Sequence, residues 1–244
     1  QRDSVPVRLP DGRDIQLLRV VDPRARRLRL LVSERGPRLT VPPGASAIDA
    51  QRFLDQHLDW LADHLAEDPH APTPQPLEPG RTGSIRLRGQ VLAVNWRESA
   101  WLQVKEDAGH LTIGMPPGGG PDALRRALRE FYLANARQDV GQWLPRYLAG
   151  LPRAPREWKI RPLTSLWGSL SASGTMSLDL ALALAPPAAF EYVLVHELCH
   201  LIQPNHSAAF WHEVERRFPD WRTQRRWLRE QGLEVKRELR RLIG

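Results

Sequence analysis

The chain reads as an α+β protein. Two β-rich units, each ending in a helix, precede a core in which a helix bearing a histidine–glutamate pair packs on a small antiparallel sheet. Three observations predict this. Short strand-like runs bounded by Gly, Pro and Asp turns fill most of residues 7–113. Each set of runs gives way to apolar residues at helical spacing. A strongly apolar stretch from Ala188 to about Gln203 then carries His196-Glu197-Leu198-Cys199-His200. At 244 residues, 41% hydrophobic and 26% charged, the chain can bury a sizeable core.

Val7-Arg8-Leu9, Ile15–Val21, Arg27–Val32 and Leu39-Thr40-Val41 read as four strands, and Pro42-Pro43-Gly44 as the turn that follows. Ser46, with Asp49 three residues on, marks a helix start. Ile48, Phe53, Leu54, Leu58, Leu61 and Leu65 continue that helix at its own period. After a proline-rich stretch the order repeats. Ile85–Leu87, Val91–Trp96, Trp101–Val104 and Leu111–Ile113 read as strands, Pro116-Pro117-Gly118 as the turn, and a helix runs from Asp122 into the Leu144 region. The repetition fits an internal duplication, or a shared architecture without common descent. Trp158–Leu163 and Thr175–Leu180 read as two further strands. Ser207 and Asp220 then stand where helix caps belong, the second opening a helix to near Leu242. The expected divisions are 1–67 and 81–150 for the β-rich units, with 68–80 as linker. The catalytic core is expected over 151–221 and a basic C-terminal helix over 222–244.

The chain carries a formal net charge of +7. Between Trp221 and Gly244, eight basic residues (Arg222, Arg225, Arg226, Arg229, Lys236, Arg237, Arg240, Arg241) face only Glu230, Glu234 and Glu238, so +5 of that charge lies in the last segment. Such a helix offers nucleotide or nucleic acid a binding surface, or is a solvated helix laced with ion pairs. No nucleic-acid motif accompanies the charge, which favours the second reading. Cys199 is the one cysteine, which excludes an intrachain disulfide. No apolar run approaches the roughly 20 residues that cross a bilayer, and Gln1–Pro10 has no signal-peptide character. A cytoplasmic location is expected.

His196 and His200 are four apart on a helix, so their rings lie on one face about 6 Å apart along the axis. That spacing suits two ligands of one tetrahedral ion. Glu197 projects beside such an ion, placed to take a proton from a water. Zinc is the cofactor these donors imply. The alternative, two buried histidines satisfied by hydrogen bonds, would be costly on so apolar a helix. A catalytic zinc needs a third protein ligand and one open position. His206, just past Pro204-Asn205, is the first candidate, with His212 or Glu213 as fallback and Glu215 also within reach. The histidine spacing is that of metzincins, but Gln203 stands where those enzymes place a glycine.

The segment Ala189–Trp221 resembles the YgjP-like family of zinc metallopeptidases, related to the SprT-like and WLM groups. The likeness rests on Tyr192-Val193 ahead of the histidine motif, on Asn205-His206-Ser207-Ala208-Ala209-Phe210-Trp211, and on Pro219-Asp220-Trp221. Upstream, Ser165-Leu166-Trp167-Gly168-Ser169-Leu170-Ser171 is similar to the family's Ser-Arg-Trp-Gly-Ser-Cys-Ser segment. Leu166 replaces its arginine and Leu170 its cysteine. The resemblance implies a zincin-like core, His196, His200 and His206 as zinc ligands, and Glu197 as the base. A peptide or protein is the implied substrate.

On physical grounds, an edge strand beside the active helix would bind an extended peptide through its main chain. Met176–Leu180 is the candidate strand, with Trp167, Gly168 and Ser169 as substrate-binding residues. Trp167 is as readily a core residue, and Tyr192 and Cys199 read as packing. The expected function is a zinc-dependent hydrolase of the metallopeptidase type. A zinc-dependent nucleotide phosphohydrolase and a non-catalytic zinc-containing binding module are the rivals.

Overall fold

The computed structural model describes residues 2–33, 36–65, 77–107, 109–164 and 166–244. Most of the expected proline-rich linker, and Ser165, lie outside the described residues. The chain divides into two compact units, Gln1–Thr73 and Pro74–Gly244. Helices and small mixed sheets make it an α+β protein, as the sequence predicts.

The first unit holds β1 (Arg2–Arg8), β2 (Asp14–Val21), β3 (Arg29–Ser33) and β4 (Gly36–Val41), followed by α1 (Ala47–Asp55) and α2 (Leu58–Leu65). The sheet order is β1-β2-β4-β3, with β2 and β4 parallel and the other pairs antiparallel. Ser46 caps α1 by accepting from the Asp49 N–H at 3.0 Å. The single helix expected over 48–65 is instead two, because the backbone tightens at Gln56-His57. Leu17, Leu39, Leu54 and Leu61 form the centre of this unit's own core.

The second unit begins with β5 (Gly83–Leu87), β6 (Gln90–Glu98), β7 (Gln103–Asp107) and β8 (His110–Met115), in the order β5-β6-β8-β7. Here too the middle pair, β6 and β8, is parallel and the outer pairs are antiparallel. The two sheets therefore share one topology. Each is followed by a Pro-Pro-Gly turn whose glycine, Gly44 or Gly118, takes a positive φ that other residues rarely adopt. The long helix α3 (Pro121–Leu148) succeeds the second sheet.

The remainder is β9 (Glu157–Arg161), β10 (Gly168–Leu170), β11 (Thr175–Asp179), a 3₁₀ turn at Leu180–Ala183, α4 (Pro187–Cys199), α5 (Ala208–Arg217) and α6 (Trp221–Ile243). Two expectations change here. The sheet is mixed: β11 pairs parallel with β9 and antiparallel with β10. And β11, the strand expected at the edge, is central, leaving β10 as an edge strand. A long connection between β9 and β11 allows the parallel pairing, which a tight hairpin could not.

The β5–β6 turn fixes the approach to α4. The Arg88 and Gly89 N–H groups donate to Ala183 and Leu184 carbonyls at 2.8 and 2.9 Å, and the Arg88 guanidinium holds Asp139 of α3 at 2.8 Å. Helix α4 is buried almost throughout, with Phe190, Val193, Leu194 and Leu198 in a core that runs from Ile85 to Leu242. Each such side chain contributes roughly 1.5–3 kcal/mol, enough together to offset the burial of a carboxyl among them. Among the described residues, no helix is long and apolar enough to cross a membrane.

Candidate active site

Helix α4 ends at Cys199, four residues short of the expected end. Beyond it the backbone tightens: the Leu201 N–H donates to Leu198 O and the Ile202 N–H to Cys199 O, both at 3.0 Å. Pro204 disfavours helical geometry at Gln203, and the tightened turn supplies local partners for the last carbonyls. It also brings Gln203 O within 3.1 Å of His200 Nδ1, which donates to it and leaves Nε2 as an acceptor. The chain then doubles back. Ser207 starts α5 by accepting from the Phe210 N–H at 3.4 Å, which places His206 over α4.

His196, His200 and His206 converge so that one donor nitrogen from each lies within 4.8 Å of the others. The Nε2 atoms of His196 and His206 are 3.0 Å apart. Bonds of about 2.0–2.1 Å to one small ion keep its donors within about 4.2 Å of each other, so the three rings would draw slightly closer on taking up an ion. His196 Nδ1 is buried with no hydrogen-bond partner among the described residues. Burial, then the neighbouring His200 and His206, pulls His196 down to about 3, and burial also lowers His200. Both rings are therefore neutral near pH 7, the form that binds a metal.

Phe210, fully buried, is the wall these histidines share. Its ring lies 4.9, 4.5 and 4.8 Å from those of His196, His200 and His206, stacked on His200 at 28°. Trp211 contacts the His196 and His206 rings at 5.7 Å each and stacks on Trp221 at 4.4 Å. The Phe-Trp pair thus holds the imidazoles in place. The fallback donors are engaged elsewhere: Glu213 pairs with Arg216 and Arg217, and Glu215 with Arg222, while His212 is exposed on α5.

Glu197 is 5% exposed, and burial lifts its carboxyl to about 8. Holding it ionised in that setting costs about 5 kcal/mol, unless a cation is near. Its side chain lies against Gly168 of β10. A Cβ at Gly168 would sit 2.7 Å from Glu197 Cγ and Oε1, so only glycine leaves room for the carboxylate. Ser169 pairs with Ser177 across β10 and β11, on the face opposite Gly168 by strand alternation. Tyr192 packs edge-on to His196 at 5.9 Å, and burial raises it to about 12. Cys199 is fully buried and raised by that burial to about 11, so it is a thiol.

Trp167 lies against α6: a Cβ on Gly232 would collide with its ring, and Lys236 Nζ is 4.5 Å from the ring centroid. Lys236 is the residue that sequence reasoning missed. Its buried ammonium donates to Leu163 O at 2.9 Å, to Leu166 O at 2.8 Å and to the carboxylate of buried Asp179. All three of its protons are thereby used. The Asp179 N–H donates to Trp167 O at 2.8 Å, so helix, loop and sheet are tied at one point. Leu166 contributes its carbonyl, while its side chain is exposed; Leu170 packs on the core. The one advance signal was Gly232, a residue unfavourable inside a helix unless something approaches closely. Arg86 of β5 also pairs with Glu238 at 3.0 Å. The basic C-terminal helix is thus built into the core.

Three converging histidines that could hold a metal ion thus stand on and beside a helix whose buried glutamate lies against an edge strand. A family model described as the YgjP-like metallopeptidase domain matches residues 26–231. The chain belongs to that family, whose members are peptidases that use a metal ion. Among solved structures, it is similar to the crystal structure of the metallopeptidase zymogen of Pyrococcus abyssi abylysin. The identity is 31%, over 43% of this chain and 92% of that one, with a TM-score of 0.29. No curated protein matches the chain significantly.

Proposed function

We propose that the protein is a zinc-dependent peptidase in which His196, His200 and His206 hold the ion and Glu197 is the general base. The convergence of the three imidazoles on one point beside a buried carboxyl carries this reading. An ion held there would supply Lewis-acid polarisation of the scissile carbonyl and would bring the pKa of water at the site toward about 7. Glu197, brought back toward its ionised form by the nearby positive charge, accepts a proton from the attacking water. It then delivers that proton to the leaving nitrogen.

The free edge of β10 receives an extended peptide through main-chain hydrogen bonds. In this scheme Gly168 keeps the Glu197 carboxylate close to the strand. Ser169 contributes its backbone, and Trp167 holds the strand's approach against α6. The chemistry belongs to 151–221, with the segment 222–244 fastening it.

The test is hydrolysis of an unstructured protein substrate with zinc restored to metal-stripped enzyme. Glu197→Gln is expected to bind zinc as the parent does and to lose turnover. A Glu197→Gln protein that still cleaves would remove Glu197 from the role of base.

A further inference from the structure

Arg225, early in α6, carries a charge that no carboxylate answers. Three other arginines of the helix are paired: Arg222 with Glu215 at 2.7 Å, Arg229 with Glu230 at 3.6 Å and Arg241 with Glu234 at 2.7 Å. Among the described residues Arg225 has no ion-pair or hydrogen-bond partner. Its guanidinium instead lies over indole rings, 4.9 Å from the centroid of Trp211 and 6.0 Å from that of Trp221. Trp211 is the same ring that contacts His196 and His206 at 5.7 Å. The exposed guanidinium is therefore one indole away from two of the three converging histidines. Its charge is also felt by the Tyr192 phenol, packed against His196.

An arginine that only keeps a helix soluble needs no such platform. Stacking on a fixed pair of rings, themselves 4.4 Å apart, restricts the guanidinium before any ligand arrives, so less freedom is lost on binding. The planar fork matches a carboxylate through two parallel hydrogen bonds.

We propose that Arg225 is a specificity-determining residue that receives a carboxylate of the bound peptide, from an acidic side chain or from a free C-terminus. The inference rests on the peptidase reading above. It predicts a preference for peptides that carry negative charge on the Arg225 side of the scissile bond.

The experiment uses one cleavable peptide in four forms, with Glu or Gln near the scissile bond and a free or amidated C-terminus. Each form is assayed for kcat/KM with the zinc enzyme. Each is also assayed for binding to the metal-stripped protein by tryptophan fluorescence, for the parent, Arg225→Gln and Arg225→Lys. Replacing the recognised carboxylate by an amide should weaken both readouts about 10- to 100-fold in the parent, as for a hydrogen bond to a charged group. In Arg225→Gln that ratio should collapse toward one, and Arg225→Lys should restore part of it. Whichever change carries the effect, side chain or terminus, identifies the source of the carboxylate. A parent that cleaves all four forms alike, or a ratio unchanged in Arg225→Gln, overturns the inference and leaves the peptidase reading standing. A parent that neither cleaves nor binds any of them overturns both.

Discussion

Replacing Gly168 by alanine tests whether the fit between β10 and Glu197 sets the activity. The new methyl would stand 2.7 Å from Glu197 Cγ and Oε1. Ordinary contact begins near 3.4 Å, so strand or carboxylate must give by about 0.7 Å, a shift that overpacking strain of about 1–3 kcal/mol would accompany. Neither partner moves freely. The strand is paired to β11 from Gly168 to Leu170 and its approach is fastened through Trp167 and Leu166, while Glu197 is itself buried, in the last turn of α4. A displaced base loses its line to the reacting water, and a misplacement of this order costs about 10²-fold in rate. The expected result is a fall in kcat near that size with metal content unchanged. Thermal unfolding should drop by several degrees, at roughly 2–4 °C per kcal/mol for a unit of this length. The measurements are steady-state kinetics, metal analysis and calorimetry on the same preparation. Activity within twofold of the parent would refute the reasoning, because it would mean that the position of Glu197 against β10 is irrelevant.

Three further outcomes are expected. His206→Ala should reduce zinc content in equilibrium metal analysis while leaving the far-ultraviolet spectrum unchanged, since His206 is exposed and lies between α4 and α5 rather than in either helix. In metal-stripped protein, Glu197 holds its proton to about pH 8 when folded but ionises near 4.5 when unfolded, so its burial penalises folding increasingly as pH rises through that window. Glu197→Gln should therefore gain thermal stability over the parent from about pH 5 to 8, and a constant difference would refute the attribution. Lys236→Met leaves Asp179 buried without its cation, a loss of about 3–5 kcal/mol by urea unfolding. Adding Asp179→Asn should recover much of it.

What the sequence revealed was local. The four-residue spacing of His196 and His200 projects both rings onto one helical face whatever surrounds it, and Ser46 and Ser207 cap the helices that follow them. His206 was legible because Pro204 interrupts the helix just before it. The strands of both four-stranded sheets were legible from turns and alternation, but not the parallel β2–β4 and β6–β8 pairs, which depend on contacts distant in sequence. β10 is three residues long and starts with glycine, so it has no alternation to detect. The Lys236–Asp179 pair joins α6 to the end of β11, and on an Arg-rich helix one inward-facing lysine looks like its neighbours. Its role follows only from burial.

The lysine that fastens Leu163, Leu166 and Asp179 lies in the last helix, after every residue of the histidine cluster. Synthesis proceeds from the N-terminus, and a compact unit generally folds as a whole. A growing chain therefore contains the three histidines and Glu197 before it contains the residue that secures the strand beside them. Until that helix is made, the Asp179 carboxylate and the Leu163 and Leu166 carbonyls lack the ammonium that satisfies them in the finished protein.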